Sequence, residues 1–459
     1  MKFSAYPAYK KSDVEWLGEV PEHWLLTSIK YFALLNPRKS EYSGDTRRLC
    51  SFVPMEKLKT GVLQLDEERP VAEVIDVYTY FEEGDVLQAK VTPCFENKKV
   101  AIARGLVNGI GFGSSEINVL RPCSGVSAGY LYYRVQDDGY MNFCASSMIG
   151  AGGLKRVPTD VINDFKIAVP DIFEQIEIAR FLDHETTRID ALIEEQQRLI
   201  ELLKEKRQSV IFTAVTKGLD PGVAMKESGV EWLGEVPAHW VISQLKFNAL
   251  EMQTGPFGSQ LHAEDYVDGG IPLINPAHMI NGQVIPDYKV SVDEKTWLRL
   301  KRHALTEGDI VFARRGELGR CAVVTSEQEG WLCGTGSLKV KLDAQLDPEY
   351  AYLLITSKGA VAELSLESKG STMENLNTET LGRIKLPLPP VGEQKAILEY
   401  VDRVSGQFAD LVDAAESGIR LMAERSSALI SAAVTGKIDV RGWQPPAAAQ
   451  APELMQEAV

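Results

Sequence analysis

SDVEWLGEVPEHW at residues 12–24 recurs as SGVEWLGEVPAHW at residues 228–240, an offset of 216 (228 minus 12) with 11 of 13 positions identical. Identity of that density inside one chain marks an internal duplication, which fixes the architecture before any local pattern is read. Weaker echoes extend it. EGDVLQAK at 83–90 parallels EGDIVFAR at 307–314, and YLYYRVQDDG at 130–139 parallels YAYLLITSKG at 350–359. PDIFEQIEIARFLD at 170–183 aligns with PPVGEQKAILEYVD at 389–402, and AVT at 214–216 with AVT at 433–435, both at an offset of 219 without a gap. The residues between these anchors barely match. The chain reads as block, variable lobe and long segment, then the same three with a different lobe.

The long segments carry a helical signature. Residues 174–215 contain no Gly or Pro, and apolar residues return with heptad-like spacing at Leu182, Ile189, Leu203 and Val210. Their equivalents are Val401, Phe408, Met422 and Leu429. Asp171 with Glu174 suggests an N-cap pair, Pro389 and Pro390 mark the second start, and Gly218 and Gly436 mark the ends. Roughly 40 helical residues make a rod of about 60 Å, too long for a small lobe to bury. The simplest partner for each rod is the other copy, packed antiparallel, with a lobe at either end.

The lobes have strand-like alternation at 85–91, 117–122, 309–315 and 338–343, with Gly-rich turns at 109–113 and 334–336. The expected fold class is α+β: two mixed, mainly β domains (1–169 and 218–388) separated by two long antiparallel helices (170–217 and 389–438). Residues 439–459, biased to Pro, Ala and Gln, are expected to form a mobile tail.

A length of 459 residues fits two to four domains at about 150 residues each. Apolar content of 44% and charged content of 25% are those of a globular chain. No apolar run is long enough to span a membrane and no export signal is seen, so a cytoplasmic location is expected. The six cysteines form no C-x-x-C pair, which argues for reduced packing residues and against zinc or a disulfide framework. The net charge of -15 lowers the expectation of nucleic-acid binding, but the acid is unevenly spread. Residues 25–160 hold 16 Lys+Arg and 16 Asp+Glu, while residues 170–215 hold 6 and 10.

No catalytic constellation emerges. Gly109-Ile110-Gly111-Phe112-Gly113 leads into a strand-like stretch, so it reads as a tight turn and not as a phosphate loop. Asp347-Pro348-Glu349-Tyr350 only faintly resembles a methyltransferase loop and lacks a preceding cofactor strand. Pro158, Asp160, Asp164 and Lys166 are too crowded for a nuclease metal site and read as a strand-entry turn. The histidines form no H-x-x-x-H pair; His23 and His239 occupy the same place in the duplicated block, which favours a structural or interface role.

The two VEWLGEVP blocks, the E-G-D turns, the Pro-rich approaches to Glu174-Gln175 and Glu393-Gln394, and the AVT helix ends together resemble specificity subunits of Type I restriction-modification systems. KVTPCFENKK at 90–99 and the run from TGPFGSQL to EGDIVFARRGELG resemble that family's target-recognition lobes. The resemblance covers nearly the whole chain. It implies a non-catalytic subunit whose two target-recognition domains each read half of a split double-stranded DNA site, with the helices as a ruler. It also implies two methylation subunits on the duplicated framework and a restriction-translocation subunit that joins afterwards. This chain would bind no cofactor, S-adenosylmethionine being carried by the methylation subunit.

Base reading needs directional donors, and phosphate contact needs cations or backbone amides. In the first lobe the candidates are Lys90, Thr92, Asn97, Lys98, Lys99, Ser114 and Ser115. In the second they are Ser259, Gln260, Arg314, Arg315 and Arg320, followed by Ser371, Thr372 and Asn375. Two other readings stay open: a protein-binding scaffold indifferent to DNA, and a self-sufficient methyltransferase or nuclease, which the missing motifs disfavour.

Overall fold

The computed structural model describes residues 4–151, 153–316, 318–368 and 376–445, the side chains of 41, 367 and 368 apart. They form two compact units. Residues 1–197 with 416–459 make the first and residues 198–415 the second, so each unit takes part of both long helices.

The first unit is built on a four-stranded sheet in the order Ala33–Leu35, Ile117–Pro122, Val86–Ala89, Val100–Ile102. In the second unit Ala249–Thr254, Ser337–Leu342, Ile310–Ala313 and Cys321–Val323 take the same places in the same order. Each lobe also has a parallel pair in a second sheet, Leu49–Val53 with Ile110–Gly113 and Ile271–Ile274 with Leu332–Cys333. The lobes thus share a frame that their sequences no longer display.

The E-G-D motif is the turn that feeds each frame. Gly84 and Gly308 have φ of 87° and 83°, a region that suits glycine. The buried Asp85 and Asp309 carboxylates accept the backbone N–H of Glu82 and Thr306, each at 2.8 Å. The glycine string at 109–113, expected as a turn, is instead largely the strand Ile110–Gly113. Glycine is required there by proximity: a Cβ on Gly111 would lie 2.2 Å from the Phe81 ring, and one on Gly113 2.7 Å from the Val53 carbonyl.

The long helices run Ile172–Lys217 and Val391–Val434. Asp171 caps the first, its Oδ1 accepting from the backbone of Phe173 and Glu174 at 2.9 and 3.0 Å. The expected reciprocal half of that cap is not formed, because the Glu174 side chain is used elsewhere. Leu182 and Ile189 are buried in the first unit's core with Leu429 of the other helix, and Val401 in the second's. Leu203, Val210, Phe408 and Met422 are half-buried. A helix pair leaves each stripe one open flank, so burial is complete only where a lobe also covers it.

Each lobe receives the end of one long helix and the start of the other. The Tyr130 hydroxyl donates to the Val434 carbonyl (3.2 Å) in the first unit, and the Tyr350 hydroxyl to the Val215 carbonyl (2.8 Å) in the second. The helices stop at Gly436 and Gly218, with φ of 74° and 76°. The chain past Gly436 is not loose, as a tail from 439 would be: Val440 is buried, and Trp443 packs on Phe181 with ring centroids 5.3 Å apart. The rest of the expected tail, 446–459, lies outside the described residues, as do Ser371, Thr372 and Asn375.

Candidate nucleic-acid interface

The duplicated block turns out to be a clasp on the long helices. His23 Nε2 lies 2.8 Å from Glu174 Oε2 and His239 Nε2 2.8 Å from Glu393 Oε2, while the Trp24 and Trp240 indoles donate to the same carboxylates at 3.1 and 3.0 Å. The adjacent glutamines fasten the lobes: Gln175 Oε1 accepts from Ser127 N (3.0 Å) and Gln394 Oε1 from Asp347 N (2.8 Å). Asp347 in turn caps Pro348–Ile355, so the Asp-Pro-Glu-Tyr stretch is a helix start. Asp164 ends the helix Thr159–Asp164 and pairs with Lys30 at 2.8 Å, a structural use of the supposed nuclease carboxylate.

With block, carboxylates and histidines committed to the frame, variable chemistry is left to the loops at the sheet rims. In the first lobe, Lys90 N donates to the Glu116 carbonyl and Val157 N to the Lys90 carbonyl, both at 3.0 Å. Thr92 is stitched to the hairpin of Ile149–Ala151 and Leu154–Arg156: its hydroxyl donates to Gly153 O at 2.6 Å and accepts from Lys155 N at 3.0 Å. Arg156 grips Glu116 through two 2.8 Å hydrogen bonds, which hold that carboxyl below its usual range. Ser114 accepts from Glu116 N at 3.2 Å, and Ser115 beside it is exposed. These contacts bring Lys90, Thr92, Ser114 and Ser115 to one rim.

Lys98 points elsewhere. Its ammonium lies 2.8 Å from both Asp138 Oδ1 and Ser427 Oγ, anchoring the loop to a lobe helix and to the second long helix. Asn97 is exposed and Lys99 half-buried on the same loop, which the fully buried Phe95 pins down.

The hairpin was not singled out from sequence. All of its described residues are exposed, including Ile149 (71%) and Leu154 (58%), and it carries Lys155 and Arg156. The signal was there: apolar residues inside a Gly-rich run, followed at once by two cations, are a poor recipe for a core. The corresponding place in the second lobe, between Lys358–Ser368 and Thr378–Arg383, is where Ser371, Thr372 and Asn375 fall.

In the second lobe, glycines let four segments meet. A Cβ on Gly255 would lie 1.8 Å from the Gly334 carbonyl, and one on Gly334 2.3 Å from the Asn275 amide oxygen. Around this crossing, Arg314 N donates to Gly336 O (2.9 Å), and Arg320 reaches the Pro276 carbonyl at 3.5 Å. Arg315, next to Arg314, is exposed and makes no ion pair among the described residues. Ser259 and Gln260 follow from Gly255; Ser259 is exposed, while the Gln260 carbonyl accepts from Arg299 at 2.9 Å. Phe257, also unflagged by sequence, stands 60% exposed on this loop. Exposed guanidinium forks beside closely packed backbone suit directional contact with base edges and phosphates.

Residues 250–414 match the family described as Type I restriction modification DNA specificity domain. The chain is 35% identical over 199 residues to the EcoEI specificity subunit of Escherichia coli (43% of this chain, 33% of that one) and 36% identical over 233 residues to the EcoAI specificity subunit of the same organism (50% and 37%). The matched regions thus span about a third of those relatives' length. The MjaVIII specificity subunit of Methanocaldococcus jannaschii is 22% identical over 321 residues (67% and 72%). Among solved structures, the HsdS subunit from Thermoanaerobacter tengcongensis aligns with a TM-score of 0.56 at 15% identity (93% and 100% covered). A chain from work on complex assembly and conformational transition of the type I R-M system aligns at 0.63 and 17% (90% and 98%). These two likenesses establish the fold across nearly the full length. The chain is thus similar to specificity subunits of Type I restriction-modification systems, and residues 250–414 match their DNA specificity domain.

Proposed function

We propose that the chain reads a split, asymmetric double-stranded DNA site, one half with the rim at 90–99, 114–116, 149–151 and 153–156, the other with the rim around 255–260, 275–276, 314–316, 318–320 and 334–336. One observation carries this reading: the two lobes keep a single strand order and a single clasp while the loops at their rims differ. A frame whose main sheet and clasp recur under two unlike loop sets fits two readers of two unlike sequences. The spacer between half-sites is assigned to the paired long helices. Two methylation subunits bind the repeated frame and carry S-adenosylmethionine; restriction-translocation subunits join that assembly. The chain itself supplies recognition and no chemistry, and it works in the cytoplasm; no described helix is long and apolar enough to cross a membrane. The acidic total charge is tolerable because the partners share the phosphate contacts.

The test is to co-express the chain with its methylation subunit and map modified bases across the host genome by single-molecule sequencing. The expected result is one motif of two defined halves separated by a fixed gap. A soluble, active complex that places no new modification would overturn the proposal in favour of a scaffold that ignores DNA.

A further inference from the structure

The duplication runs past the block. LLTSIKYFAL at 25–34 faces VISQLKFNAL at 241–250 at the same offset of 216 (241 minus 25). Burial explains only part of this agreement. Ile29 and Leu245 are buried, as apolar residues there should be. Leu25 and Val241, however, are 68% and 61% exposed, Tyr31 and Phe247 both 71%, and Leu34 and Leu250 48% and 69%. Inside the same stretch the buried Phe32 has become the buried Asn248. Large apolar side chains have therefore been kept in both copies at positions where folding does not ask for them, while a core position has drifted.

Two lysines beside each copy are matched, although Asp164, which pairs with Lys30, is replaced by Arg383 in the second copy. Lys30 Nζ lies 5.5 Å from the Tyr31 ring centroid and Lys246 Nζ 5.0 Å from that of Phe247. On the paired strand, Lys166 sits opposite Ser28 and Lys385 opposite Gln244, both lysines exposed.

We propose that each of these ribbons is a docking surface for one copy of the same partner polypeptide, and that the partner presents an apolar face rimmed by carboxylates. An exposed aromatic flanked by aliphatic residues is the composition of a protein interface core, and the exposed Lys166 and Lys385 set the sign of the opposing rim. Equal surfaces select equal partners, so the chain takes two copies. Nucleic acid is the poorer occupant, since aliphatic side chains offer a phosphate nothing and Lys30 is already paired with Asp164. Naming the partner as the methylation subunit rests on the proposed function; the surface itself does not.

Native mass spectrometry of the full chain with purified methylation subunit reads the copies bound, and calorimetric titration reads their affinity. The wild-type chain is expected to take two copies, Tyr31→Glu or Phe247→Glu one, and the double variant none, with each altered ribbon at least about tenfold weaker. Paired Leu25→Ser and Leu34→Ser substitutions should act like Tyr31→Glu without adding charge, and unchanged thermal midpoints verify folding. Lys166→Glu with Lys385→Glu should weaken both sites, most at low salt. A double variant that still binds two copies overturns the surface and leaves the proposed function standing. Retained copies with lost DNA affinity would assign the ribbons to nucleic acid and overturn the proposal equally. A wild-type chain that binds no copy overturns both readings.

Discussion

His23 and Glu174 meet at 2.8 Å across 151 positions of sequence, joining the end of the duplicated block to the first turn of a long helix. The same contact recurs between His239 and Glu393, but the two clasps are unequal. Glu174 is nearly fully buried and accepts a third hydrogen bond, from the Tyr6 hydroxyl at 2.7 Å; the position equivalent to Tyr6 is Gly222, and Glu393 is partly exposed. Glu174→Ala strands the buried Tyr6 hydroxyl and Trp24 indole and should cost about 3 kcal/mol, whereas Glu393→Ala should cost about 1 kcal/mol. Differential scanning calorimetry of both variants checks the order, and equal losses would contradict it.

Arg314 and Arg315 provide the sharpest test of base reading. If one of them forks onto a guanine, its replacement by Ala should cost about 1–3 kcal/mol of binding and relax a single position of one half-site. A phosphate contact would instead weaken every sequence evenly and flatten the salt dependence. Titrations of a panel of singly altered sites separate the two, and a variant with neither effect removes that arginine from the interface.

The duplication, the helices and the strands of both lobes were legible because each rests on a local pattern: repeat identity, a Gly- and Pro-free heptad run, alternation beside Gly turns. What was hidden depends on distance in the chain. Nothing local says that Lys98 will find Asp138 and Ser427, 40 and 329 positions away. Nor does the spacing of Gly111 disclose that Phe81 will press on it. The hairpin of Ile149–Ala151 and Leu154–Arg156 differs in that its signal was local: apolar residues in a Gly-rich run followed at once by two cations, which the fold leaves exposed.

That hairpin supports a further prediction. Ile149→Ser with Leu154→Ser removes apolar side chains that contact little, so stability should change by no more than about 0.5 kcal/mol. DNA affinity for the half-site that the proposed function assigns to the first lobe should nevertheless fall. Unfolding curves and binding isotherms on the same preparations check both halves of the statement; a stability loss without a binding loss would make the hairpin a folding element.

His303 makes the second lobe sensitive to acid. Burial, and after it the neighbouring Arg302, push its pKa down from 6.5 to about 4. The unfolded chain binds the proton more readily than the folded one, so the associated stability is complete above about pH 6.5 and is lost as pH falls towards 4. His303→Gln should lower the midpoint at neutral pH modestly and flatten its decline between those values. Thermal melts at half-unit pH steps would show the flattening, and parallel curves would exclude His303 as the cause.

Truncation near residue 220 asks whether the two helix ends are interchangeable. In the intact chain the first lobe receives Val434 at the Tyr130 hydroxyl and Gly436 against Pro21 and Trp24, whereas Val215 and Gly218 occupy the equivalent places beside Tyr350, Pro237 and Trp240. A fragment ending near 220 keeps a receiving lobe and loses the end that filled it, yet it carries an Ala-Val-Thr end of its own. Two fragments can then exchange ends, each supplying Val215 to the other's Tyr130. The exchange is imperfect, because the fragment lacks Val440 and Trp443, which pack into the first unit's core. Its dimer should therefore be weaker than the intact pairing but present at micromolar concentration, with two identical lobes that read a palindromic site in complex with the methylation subunit. Sedimentation equilibrium gives the mass directly, and Tyr130→Phe should shift it towards monomer by deleting the receiving hydroxyl. A fragment that stays monomeric would show that the two helix ends, alike in sequence, are not alike in fit.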